Sequence, residues 1–140
     1  SEDVGLAEPD ALQQTVSAWQ AYERLGTPEG ELALAQAVLY LATAPKSNAV
    51  YKALDAAMHT AKQSGSAMPP KHILNAPNQM MKDLGYGDGY VYDHDTQETF
   101  SGQNYFPEEL ERQKFYRPVE RGFEREIKKR LDYWSKLRHS

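Results

Sequence analysis

Three groups of residues in this 140-residue chain have types and spacings that could do chemistry, and each implies a different kind. Asp93-His94-Asp95 puts two carboxylates and an imidazole within three positions, a compact donor set for a metal ion or for proton transfer. Neither HExxH nor an EF-hand loop accompanies it, and aspartates in a turn also serve as local Asx-type acceptors. Gly85, Gly87 and Gly89 alternate through an aromatic run that ends at Asp95. Tyr90 breaks a GxGxxG spacing, and no GxxxxGK[ST] occurs anywhere, so the chain carries no P-loop; these glycines read as turn residues at positive φ. Lys46-Ser47-Asn48 sets a cation, a hydroxyl and an amide at a predicted helix start, where backbone N–H groups favour anions. Lys71, Lys82, Arg121, Lys128 and Lys129 add candidate contacts to DNA or a partner, although each also reads as a solvated lysine or arginine. Tyr86, Tyr90, Tyr92 and Tyr105 could stack on bases or pack a long loop. With no nucleophile elbow and no cysteine, the sequence supports neither serine nor cysteine nucleophiles, and disulfides, iron–sulfur centres and thiolate zinc sites are excluded.

The elements that must position these groups are mostly helical. Leu12, Val16, Trp19, Tyr22 and Leu25 recur at spacings of four and three and predict a helix from Pro9 to Leu25, capped by Gly26. Thr27-Pro28 fits an N-cap with proline at the first helical position of a second helix ending near Thr43. That helix, through Leu32, Leu34, Val38, Leu39 and Leu41, has almost no polar face, so it must be covered on all sides by its own chain or by another subunit. Pro45 stops it, Ser47 or Asn48 caps a third helix to Ser64, and Lys52, Asp55, His59 and Lys62 form that helix's outer stripe. A short helix spans Asn78 to Leu84. A long irregular segment follows to Gly122, with one short strand pair expected between Tyr90–Tyr92 and Phe115–Tyr116 and one helical turn at Pro107–Leu110. The last helix, from Gly122 to Leu137, lines up Phe123, Ile127, Leu131, Trp134 and Leu137.

Length and 40% apolar content suit one folded domain. The stretch Leu32–Ala44 is too short to span a bilayer, and the acidic opening Ser1-Glu2-Asp3 is the reverse of a basic leader, so the chain is read as cytoplasmic and membrane-free. Net charge is −4, but residues 1–35 carry −6 and residues 121–138 carry +4. The pairs Glu124–Lys128, Glu126–Arg130 and Asp132–Lys136 stand at i,i+4, which assigns much of the basic end to a solvated, ion-paired helix face.

The runs SEDVGLAEP at Ser1–Pro9, LAQAVLYLATAPKSN at Leu34–Asn48, Lys82–Gly87, Tyr92–Asp95, Phe115-Tyr116 and Arg121–Glu124 resemble the C-terminal region of the bacterial replication-associated recombination protein A family, RarA or MgsA, counterpart of the Werner-helicase-interacting AAA+ ATPases. The resemblance covers essentially the whole chain. It implies an all-α, clamp-loader-collar-like oligomerisation domain from a DNA-dependent ATPase that acts at stalled or damaged replication forks, near the nucleoid, as a homo-tetramer. Replication proteins such as single-strand-binding protein are further implied partners. Walker motifs, sensors and arginine finger lie upstream in the family, so ATP and Mg would belong there, and no catalytic, cofactor or metal residue is expected here. Residues 1–8 are then the remnant of the junction with the ATPase lid, and residues 9–140 one assembly domain. The interface candidates are Leu32, Leu34, Val38, Leu39 and Leu41. The alternative is a DNA- or partner-binding module using Lys46, Lys71, Lys82 and the basic C-terminal helix.

Overall fold

Alanines decide how the first two helices meet. A computed structural model describes residues 1–139, and in it α1 (Ala11–Leu25) and α2 (Glu29–Thr43) form a hairpin with a three-residue connection. Their shared cleft is lined by Ser17, Ala18, Ala21, Ala33 and Ala37, with Ala18 and Ala37 buried. Small side chains let the two backbones approach closely, and at Gly30 a Cβ would stand 2.8 Å from the Tyr22 Cα. Gly26 turns the chain at φ +65, with its N–H donating to the Tyr22 carbonyl. Pro28 takes the cap position of α2 itself, and the Thr27 hydroxyl donates to Glu31 Oε1 at 2.9 Å instead of capping the backbone.

α3 (Ala49–Ser64) follows the Pro45 break, and α4 (Gln79–Asp83) and α5 (Glu124–His139) complete the five α-helices of the described residues. Single 3-10 turns stand at Gly5–Ala7, Lys71–Ile73 and Asp93–Asp95. The chain divides into two compact units, Ser1–Ala57 with Phe115–Arg130, and Met58–Lys114 with Leu131–Ser140.

In the first unit the N-terminal turn is tied to the starts of α3 and α5. Ser47 N–H donates to the Asp3 carbonyl and Phe123 N–H to the Ala7 carbonyl. Gly122 sits so close to this turn that a Cβ would collide with the Ala7 carbonyl oxygen, and its φ of +49 is a left-handed conformation suited to glycine. Val4 and Ala7 are buried in the process.

In the second unit side chains replace helices as the organising groups. Gln103 bridges the loop, donating from Nε2 to the Gly89 carbonyl and accepting the Val91 N–H on Oε1. Arg112 Nη2 donates to the Gly102 and Gln103 carbonyls. Phe100 stacks on Trp134 at 6.3 Å with Arg138 over its ring, and Tyr133 donates to Glu98. The strand pair expected of Tyr90–Tyr92 and Phe115–Tyr116 does not form, and no strand exists among the described residues. The backbone groups such a pair would use are taken locally: Gln103 accepts from Val91, and the Tyr92 carbonyl accepts from the Asp95 N–H. Pro107–Leu110 does close one hydrogen-bonded turn.

Candidate functional site: an uncovered apolar face

With alanine and glycine turned inward, the large apolar side chains of the hairpin are left outside. On α2, Leu32 is 74% exposed, Leu39 67% and Val38 64%, and Leu34 is more than a third exposed. Leu32, Ala35, Leu39 and Ala42 follow one another at steps of three and four, so they form a continuous exposed stripe. On α1 the stripe of Leu12, Val16, Trp19, Tyr22 and Leu25 is also exposed, Trp19 at 64% with its indole N–H donating to Glu23. Leu41 is half-buried and shares a groove of about 330 Å³ with Val4, Ala11, Leu12 and Lys46. Leucine, valine and tryptophan are residue types that folded chains normally enclose, so such a concentration on one hairpin calls for a cover. Among the described residues, α1 covers the alanine face of α2 around Ala33 and Ala37.

The charged candidates occupy different settings. Ser47 is buried: its hydroxyl donates to Glu124 Oε1 at 2.9 Å and accepts from the Ala49 N–H, so it caps α3 and serves the interior. Lys46 and Asn48 are exposed beside it, and Arg121 Nη1 donates to the Lys46 carbonyl. Lys128 pairs with Glu120, and Lys129 with Glu126 at 2.7 Å. Lys71 and Lys82 are exposed, and neither forms an ion pair among the described residues.

Glu124 does not lie on the solvated face that its i,i+4 spacing to Lys128 predicts. Glu124 is 0% exposed, its Oε2 accepting the Val119 N–H at 2.6 Å while Oε1 takes the Ser47 hydroxyl. Its carboxylate lies in the first turn of α5, where the helix dipole favours negative charge. Burial, and then the neighbouring Glu124 carboxylate, raise the Tyr116 phenol above its ordinary range. Position alone could have signalled this, because an acid directly after Gly122-Phe123 at a helix start is placed to accept N–H groups as well as to meet a lysine four residues on.

Asp93 acts within its own loop. Its carboxylate accepts the Ser101 N–H at 2.8 Å, and hydrogen bonding from Ser101 holds its pKa below the usual value. His94 packs its ring against Tyr92 at 5.0 Å. Among the described residues no three His, Asp or Glu side chains gather as metal ligands. No helix among them is long and apolar enough to cross a membrane.

An all-helical chain with this uncovered hairpin falls into a defined class: residues 1–135 match the family model described as "MgsA AAA+ ATPase C terminal". The chain belongs to that family. It is 52% identical to a protein named replication-associated recombination protein A from Coxiella burnetii, over 98% of this chain and 31% of the relative. The protein of that name from Escherichia coli K12 is 46% identical over 94% of the chain and 30% of the relative. A protein named ATPase WRNIP1 from Dictyostelium discoideum is 40% identical over 83% of the chain and 13% of the relative. The chain thus spans about a third of the length of the bacterial relatives.

Proposed function

We propose that this chain is the self-assembly domain of a DNA-dependent AAA+ ATPase of replication-fork maintenance and recombination, and that copies associate through the outer faces of α1 and α2 into a tetrameric collar. The observation that carries the reading is the outward set of Leu32, Val38 and Leu39, more than 60% exposed on a helix with almost no polar face. Full burial of one such side chain is worth about 1.5–3 kcal/mol, so several together can exceed the cost of bringing copies into register. Obligate interfaces have this apolar character. Leu34 and Leu41 would lie at the margins of the contact, Leu41 through the groove it shares with Leu12.

Nucleotide and magnesium chemistry would reside in the remaining two-thirds of a protein built like the relatives, and the collar would raise the local concentration of those ATPase modules. DNA, and replication proteins such as single-strand-binding protein, would be reached by the assembled whole in the cytoplasm. Residues 1–8 would join this domain to the ATPase lid. Multi-angle light scattering tests the proposal. The expected mass is a multiple of 15.9 kDa that falls on dilution, whereas a concentration-independent 15.9 kDa species would contradict it.

A further inference from the structure

Of the eight aspartates and four asparagines in the sequence, only Asp88 precedes a glycine. Without a Cβ on the following residue, little hinders its amide nitrogen from reaching the aspartyl side-chain carbon. The fold leaves both partners of that attack free. Asp88 and Gly89 are exposed in the turn after α4, and Gly89 stands at φ +76 with nothing within 4 Å of where a Cβ would be. The neighbouring amides of Asp88 and Tyr90 donate to the Gly85 and Gly87 carbonyls, but among the described residues no hydrogen bond engages the Gly89 N–H or the Asp88 carboxylate. Other aspartates are held. Asp93 accepts the Ser101 N–H, Asp83 accepts from Gln79 Nε2, and Asp55 lies inside α3, where the helical ladder fixes the backbone.

We infer that Asp88-Gly89 is a site of spontaneous covalent modification, at which the folded chain isomerises to isoaspartate and so becomes a substrate for an isoaspartate-specific carboxyl methyltransferase. The Gly89 nitrogen bonds to Asp88 Cγ, and the hydroxyl of the acid form leaves as water with the amide proton, closing a succinimide. Water then adds back. Opening at Cγ restores aspartate; opening at the Asp88 main-chain carbonyl leaves Gly89 joined through Cγ and frees an α-carboxylate, the group a methyltransferase takes. No oxidant or reductant enters. The product backbone is longer by one carbon, directly before the Gly89 carbonyl and Val91 N–H that Gln103 bridges, so the modification breaks that bridge and loosens the loop. The inference concerns the turn alone and stands whether or not the chain self-associates.

The test is to age the intact chain and a synthetic peptide of residues 85–91 side by side in mildly acidic buffer, with methyl incorporation by the methyltransferase as readout and tandem mass spectrometry to place it. The folded chain should isomerise at no less than about a fifth of the peptide's rate, at Asp88, through an intermediate lighter by one water. Asp88→Glu, an exposed change that keeps the charge, should abolish the signal, and Gly89→Ala should slow it by about tenfold or more. Amide exchange at Val91 should quicken in the aged product, and an unchanged rate would refute the loss of the Gln103 bridge. A folded chain slower than a fifth of the peptide, or methyl incorporation centred on another aspartate, would overturn the inference.

Discussion

The α1–α2 hairpin and the loop segment around Asp93 solve opposite problems. The hairpin is regular, and its interior is made of Ala18, Ala37 and Gly30, so its backbones pack closely while leucines and a tryptophan remain outside. The loop segment has almost no regular structure and is held by side chains that reach backbone groups: Gln103 to Gly89 and Val91, Arg112 to Gly102 and Gln103, Asp93 to Ser101. The lesson concerns what the large apolar residues are for. Where small residues do the packing, large ones are available for association; where the backbone is irregular, aromatic rings such as Phe100 and Trp134 are spent on the loop itself.

Substitutions can break this contrast at its strongest points first. Gly122→Ala should be the most damaging, costing about 3 kcal/mol or more, because a Cβ would collide with the Ala7 carbonyl at a positive φ. A urea melt measures it, and an unchanged midpoint would mean the N-terminal turn can move aside. Glu124→Ala should cost about 2–4 kcal/mol by leaving the Val119 N–H and Ser47 hydroxyl buried without their acceptor, with Glu124→Gln costing less. Gly30→Ala tests the close approach of the hairpin directly and should cost about 1–3 kcal/mol, since Tyr22 backbone stands in the way.

Two pH arms separate the regions more finely. Asp93 titrates below its unfolded value, so its contribution is present above pH ~4 and is lost as pH falls through the lower folded value. Asp93→Asn should therefore flatten part of the acid limb of a stability–pH profile. Tyr116 behaves oppositely: its raised pKa gives a contribution that is full below pH ~10 and is lost as pH rises toward the folded value. Tyr116→Phe should flatten part of the alkaline limb, and an identical limb would show that the phenol ionises as freely folded as unfolded.

Much of the helical layout was legible because periodicity reports it. The predicted helices lie within two residues of α1, α2, α3 and α5 at their starts and ends, and Asn78 caps α4 by accepting the Met81 N–H. The outer stripe of Lys52, Asp55, His59 and Lys62 on α3 is exposed as expected. The apolar spacing of α1 was visible, but not the direction its stripe would face, because periodicity identifies a face without naming its neighbour. Glu124 was misplaced on the surface for a related reason: an i,i+4 lysine is a local signal, whereas its partners Ser47 and Val119 meet it through the fold. Gln103 and Arg112 left no pattern at all, since a side chain that holds backbone carbonyls needs no periodicity. Gly85, Gly87 and Gly89 all adopt positive φ, in keeping with their reading as turn residues.

The smallest expected effect on the fold is also the most direct test of assembly. Leu39→Asp, alone and with Leu32→Asp, places charge on side chains that are exposed in the single chain, so thermal stability measured on dilute protein should change little. Sedimentation velocity of these variants beside the unaltered chain should show the unaltered chain as a multimer and the variants collapsing toward 15.9 kDa with unchanged circular dichroism. Variants that sediment like the unaltered chain would contradict the claim that α2 supplies the contact.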